Sequence, residues 1–293
     1  MVQGQIMALC AALLIAIGTS LYNRMGDKLT SDMIGYVRMF LAVPLSLVLV
    51  FIFDGTFPVG YSWQTYLVAF ISGVVGYFIC DYFTFKAIVG LGARETAVIL
   101  TLNPVLTAAM SLMFFSESLG AKQAFGMIVT ILGVVLMVTG EKGTKGQIRK
   151  MSLKAGILCA SFGAFLQSVA DITAKAALTS IPSVSTNMLR LIGGLLAWVV
   201  FGFIKRQDYS RQSKVFKDWR YIVMMVFAVA AGPVFGMTLS MGAMELIPVG
   251  VVKSLVQTSP VFLILIDLFR GRKISAMSLI GTLVSVAGVI LLF

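Results

Sequence analysis

The chain has 293 residues, of which 59% are hydrophobic and 12% charged, and its 23 Lys and Arg against 12 Asp and Glu give a net charge of +11. Soluble domains run near a quarter charged, so this composition excludes a soluble globule. Histidine is absent, which removes the commonest metal ligand and the usual general base, so no metal, cofactor or catalytic residue is assigned.

Ten apolar runs follow one another, over residues 4–22, 33–53, 64–89, 95–115, 122–140, 154–177, 184–204, 219–244, 248–269 and 275–292. Each approaches the roughly 20 residues that cross a hydrocarbon core at about 1.5 Å per residue. The expected fold is an all-α polytopic membrane protein with ten transmembrane helices. The first run has no basic stretch before it and no clean cleavage site after it, unlike a secretory signal. Cys10, Cys80 and Cys159 sit in apolar runs without metal spacing and read as small core residues.

The second run opens with Arg38, as the seventh does with Arg190. Both lie within two turns of an interface, which favours structural work: capping loop carbonyls or pairing with a carboxylate such as Glu95 or Glu245. In the third run Asp81 stands one turn beyond Tyr77, with no basic residue one turn away. A lone carboxylate at that depth suits proton coupling or substrate binding; an interhelical salt bridge is the alternative.

The fourth run, ETAVILTLNPVLTAAMSLMFF, is the centre of the reading. Thr96, Asn103, Thr107 and Ser111 recur at three- and four-residue steps and share one face. Pro104 has no N–H and frees the carbonyl of Leu100, and loosened backbone at that depth needs protein or a wet cavity to receive it. Either a cavity-lining helix or an ordinary kinked packing helix fits the segment alone. In the fifth and tenth runs Gly126, Gly133, Gly281 and Gly288 mark close helix contact, within the chain or between protomers.

Gln167, Asp171 and Lys175 fall at i, i+4 and i+8 of the sixth run. Asp171 and Lys175 can pair along the helix; alternatively Gln167 and Asp171 face a cavity while Lys175 snorkels to the edge. Met237, Met241 and Met244 of the eighth run would soften a promiscuous pocket. Lys253 and Gln257 share a face of the ninth run leading to Pro260, where the ammonium either holds a substrate carboxylate or phosphate or reaches outward. The candidate substrate-binding set is therefore Tyr77, Asp81, Thr96, Asn103, Gln167, Asp171, Lys253 and Gln257.

The chain repeats itself. Trp63, Gly76, Ala87 and Pro104 return 156 residues later as Trp219, Gly232, Ala243 and Pro260, and an offset of 152 joins Gly4 to Gly156 and Arg38 to Arg190. Residues 1–140 and 153–293 thus read as two copies joined by a basic linker, 141–152, a common plan in secondary transporters. Five spans per copy make the copies inverted around a central cavity. Eighteen of the 23 basic residues fall after odd-numbered runs, the others being Lys122, Lys175, Arg38, Arg190 and Lys253. That side is expected to be cytoplasmic, with both termini outside. The same loops suit anionic lipid headgroups, which account for the charge better than nucleic acid does.

The order of these features carries a resemblance. GYVRMFLAVPL and NMLRLIGGLL, the Asn-Pro and Ser-Pro of the fourth and ninth runs, FFSESLGAKQAFGMIVTILGVVLMV and LFRGRKISAMSLIGTLVSVAGVILLF together resemble the drug/metabolite transporter superfamily, its EamA-type branch in particular. The likeness covers essentially the whole chain. It implies a ten-helix basket whose cavity is lined by spans 1, 3, 4, 6, 8 and 9, and gradient-driven movement of a small metabolite. Relatives often carry a Trp late in the first span of each copy, where this chain has Leu14–Ile17 and Gln167. Many are drawn with both ends in the cytoplasm, opposite to the charge bias here.

The favoured function is a secondary active transporter of the cell membrane, exporting an amino acid, nucleoside or drug-like solute by alternating access with proton coupling, as a monomer or homodimer. A channel or scaffold is the second reading and a membrane-embedded enzyme the third. No GxxxxGK[ST], HExxH or GxSxG motif occurs, so neither ATP hydrolysis nor a familiar hydrolase site is indicated.

Overall fold

The computed structural model describes residues 2–25, 28–140, 152–205, 214–269 and 275–293. The expected linker over 141–152 lies, apart from Ser152, outside the described residues, as do the basic stretches at 206–213 and 270–274. The described residues form helices α1 (Val2–Met25), α2 (Ser31–Phe53), α3 (Trp63–Ile88), α4 (Glu95–Phe115), α5 (Ala121–Thr139), α6 (Lys154–Leu178), α7 (Ser183–Lys205), α8 (Trp219–Leu246), α9 (Val249–Ile266) and the shorter α10 (Ala276–Leu292). Each begins within a few residues of its apolar run. At 17 residues, α10 spans about 25 Å.

Small polar residues start the helices. Thr30, Ser62, Ser152 and Ser275 each accept the N–H three residues on, so one orphan donor of α2, α3, α6 and α10 is met by a side chain. The outward faces are apolar, as in Phe51–Phe53, Met113–Phe114 and Phe203–Ile204, all exposed. In lipid this is the expected solvent face. Cys10 lies on it, exposed, contrary to the core position expected of it, whereas Cys80 is buried.

The copies are antiparallel, and the glycines prove it. A Cβ on Gly126 would meet Leu291, one on Gly288 would meet Thr130, one on Gly133 would meet Ser285, and one on Gly281 would meet Met137. Numbers rise along α5 as they fall along α10, so these equivalent helices run in opposite directions. The same holds for α2 and α7, where Gly35 faces Trp198 and Gly194 faces Met39. The glycine seam therefore joins the two halves of one chain. Ser278 adds a hydrogen bond across it to the carbonyl of Met137 at 2.9 Å.

Two features interrupt the helices at equivalent places. α4 breaks at Thr101, three residues before Pro104, and α9 at Gln257–Thr258, three and two residues before Pro260. Thr101 Oγ1 donates to the carbonyl of Val98 at 2.7 Å and Thr258 Oγ1 to that of Leu255 at 2.6 Å, so hydroxyls receive backbone the break releases. In addition α3 carries a π turn at Val75–Cys80 and α8 one at Ala230–Gly236. Nothing in the apolar pattern announced these wider turns.

Candidate functional site

A cavity of about 270 Å³ lies where the interrupted helices converge. Its wall takes Ile15, Thr19 and Tyr22 from α1, Gly76, Tyr77 and Asp81 from α3, Asn103 from α4, and Gln167 and Asp171 from α6. Gly232, Pro233 and Met237 come from α8, and Lys253, Val256 and Gln257 from α9. These are the six spans the resemblance implies. Arg38 of α2 and Arg190 of α7 complete the wall, so both arginines face the cavity as well as lying within two turns of the start of their helices.

Helix α7 stitches the two π turns together. Trp198 Nε1 donates to the carbonyl of Tyr77 at 2.8 Å. Asn187 Nδ2 donates to the carbonyl of Pro233 at 2.9 Å and to Thr238 Oγ1 at 3.0 Å, while its Oδ1 accepts the Tyr77 hydroxyl at 2.8 Å. Carbonyls loosened by the wide turns are thus satisfied inside the protein, as a membrane interior requires. Neither Asn187 nor Trp198 was singled out by sequence. The available signal was Asn187, an amide one turn before Arg190.

Two ion pairs dominate the polar wall. Arg38 Nη2 bonds Asp81 Oδ2, which overturns the premise that Asp81 has no partner. The partner comes from α2, not from α3 itself, and it also replaces Glu95 or Glu245 as the carboxylate Arg38 uses. Lys253 Nζ lies 2.8 Å from Asp171 Oδ1, with the side chains 5% and 0% exposed. Asp171 also accepts Gln167 Nε2 at 3.1 Å and Asn103 Nδ2 at 3.4 Å. A buried pair is favourable only when further hydrogen bonds complete its shell, and these two amides do so. Asn103 Nδ2 and Ser168 Oγ are 3.2 Å apart, which ties α4 to α6.

Lys175 does not pair with Asp171 but extends from the last turn of α6 to a loop. Its ammonium lies 3.1 Å from Glu117 Oε1 and donates to the carbonyl of Met244. Thr96 also stands apart: buried, its hydroxyl donates to the carbonyl of Gly92 at 2.8 Å, and it is not among the residues lining the cavity. Of the other candidates, Tyr77, Asp81, Asn103, Gln167, Asp171, Lys253 and Gln257 all line it. Thr107 and Ser111 are buried on the Asn103 face of α4, as the spacing predicted, but they contact protein. Met237 lines the cavity, Met241 touches Arg190 Nη1 at 3.8 Å, and Met244 packs in an apolar cluster.

Glu117, in the loop between α4 and α5, is a second polar node. It accepts the Ser111 hydroxyl and the Val249 N–H at 2.9 Å, the latter capping α9, whose preceding Pro248 offers no side-chain cap. Burial pushes its carboxyl up, yet the Ser111, Val249 and Lys175 contacts outweigh this and hold it below the usual 4.5. A lowered folded-state value means stabilisation that is present above pH 4.5 and lost as pH falls below it. Thermal midpoints measured between pH 6 and 3 should fall for wild type and fall less for Glu117→Gln; parallel curves would remove this role.

Comparison with known proteins places the chain. The model of the EamA-like transporter family matches it twice, over residues 2–139 and 154–293. The "Uncharacterized transporter YyaM" of Bacillus subtilis (strain 168) is 22% identical over 225 residues, covering 75% of this chain and 70% of that protein. A crystal structure bearing no functional name shares the fold at a TM-score of 0.78, with 16% identity over 98% of this chain and 94% of that one. With both halves of the molecule matched and the helices interlocked around a shared cavity, the chain belongs to the EamA-like transporter family.

Proposed function

We propose that this protein is a secondary active transporter of the cell membrane that exports a small metabolite by alternating access. The observation that carries the reading is the cavity to which both antiparallel copies contribute charged and amide side chains. Bilayer interiors disfavour ionisable groups by about 2.5–3.5 kcal/mol each on insertion scales, so a chain that keeps Arg38, Asp81, Asp171, Arg190 and Lys253 there has a use for them. Broken helices at the middle of each copy bring Asn103 and Gln257 to the cavity, and rocking of one copy against the other opens the cavity to each side in turn. The solute is drawn from amino acids, nucleosides and drug-like molecules of comparable size. In this reading Asp81 is the coupling carboxylate, alternating between its bond to Arg38 and a proton.

Counterflow of labelled solutes in proteoliposomes tests the proposal. Exchange without ATP supports a carrier, rapid collapse of the gradient a channel, and a chemically altered product an enzyme. Asp81→Asn and Asn103→Ala should each reduce net solute flux driven by a proton gradient at least tenfold, equivalent to about 1.4 kcal/mol of lost transition-state stabilisation, with expression unchanged. Wild-type proton-driven flux by Asp81→Asn would end the coupling role.

A further inference from the structure

The duplication leaves one cation without its counter-charge. Arg38 and Arg190 are equivalent at an offset of 152, and Asp81, which holds Arg38, is equivalent at 156 to Met237. The second copy has kept the arginine and lost the carboxylate. Arg190 is 0% exposed. Its guanidinium carbon lies 5.1 Å from the centre of the Tyr77 ring and Nη1 lies 3.8 Å from Met241 Sδ. Nε and Nη2 have no hydrogen-bond partner among the described residues.

Those two nitrogens are adjacent donors on one edge of the guanidinium, with parallel N–H bonds at the spacing of a carboxylate's two oxygens. Gly76 lets the α3 backbone come close to the guanidinium, since a Cβ there would stand 3.1 Å from Nη2. Both residues line the cavity. The backbone beneath is fixed, because the carbonyls of Arg190 on α7 and Phe70 on α3 press against Gly73 and Gly193 in turn. A buried cation left unpaired is costly, whereas an anion in its place forms strong, charge-assisted bonds.

We propose that the transported solute carries a single carboxylate, seated side-on against Nε and Nη2 of Arg190. This rests on the carrier reading above and names its substrate class. The cavity charge agrees: Arg38, Arg190 and Lys253 face Asp81 and Asp171, each carboxylate is already engaged by Arg38 or Lys253, and one positive charge is left. A second free cation, which a phosphate dianion would demand, is missing from the described wall.

Formate is the probe, because the smallest carboxylate enters any site built for one. In the purified full-length protein, 100 mM sodium formate should raise Tm by about 2–4 °C over sodium chloride at equal ionic strength, as expected for a site filled to roughly ten times its Kd. Arg190→Met should abolish the difference and melt no lower than wild type in chloride, since it removes an uncompensated charge. Arg190→Lys, which keeps the charge without the fork, should retain under half of the shift. Equal Tm in formate and chloride for wild type, or an undiminished formate shift in Arg190→Met, overturns the proposal. Counterflow separates the two readings. Exchange of a solute without a carboxylate and no formate response sinks the substrate class alone, whereas an Arg190-dependent formate response without exchange of any solute sinks the carrier and leaves the anion site standing.

Discussion

Lys253→Met is expected to destabilise the protein by about 3–5 kcal/mol, and Asp171→Asn in the same chain to restore most of the loss. The single change leaves Asp171, 0% exposed, with two amide donors and no cation. A carboxylate in that position faces the desolvation penalty without the attraction that offsets it. Asp171→Asn alone strands Lys253 in the same way. Together the substitutions remove both charges and keep a side chain able to bond Gln167 and Asn103, so the double variant should melt closer to wild type than either single one. Heat-induced unfolding followed by fluorescence size-exclusion of the detergent-solubilised protein reads all four. Additive losses would mean that the two groups stabilise the fold separately.

The second large effect is steric. Gly73→Ala puts a Cβ 1.9 Å from the carbonyl oxygen of Arg190 and 2.6 Å from its Cα. The obstacle is backbone, so no rotamer change relieves it and α3 must move away from α7. Overpacking of this kind costs about 1–3 kcal/mol and sometimes more. Separation of these helices also disturbs the seat of Arg190 and the Trp198–Tyr77 bond. Gly202→Ala on α7 is the matched control, for a Cβ there meets nothing within 4 Å; it should be neutral or gain up to about 1 kcal/mol from helix propensity. Similar melting of the two variants would show that the α3–α7 crossing yields easily.

The spans, the duplication and the breaks at Thr101 and Gln257 were legible because each is a local pattern: an apolar run, a recurring offset, a proline. Cavity membership was legible for seven of the eight candidates because polar residues in a lipid-soluble chain have few other places to go. Partner choice was not. Asp81 and Asp171 were tested against neighbours on their own helices, and the partners came from α2 and α9. Which faces meet across a bundle depends on helix rotation, and each π turn adds about one residue, or roughly 100°, to that rotation. Cys10 failed for another reason: in lipid an apolar side chain fits the outer face as well as the core.

The π turns also date the molecule. In α8 the N–H of Met237 reaches back to the carbonyl of Gly232, and the wide turn in α3 occupies the equivalent stretch 156 residues earlier. A widened turn arises when one residue is inserted into a regular helix. Two independent insertions at the same place need more events than one insertion inherited twice, so the extra residue was present in the ancestral half before the gene doubled.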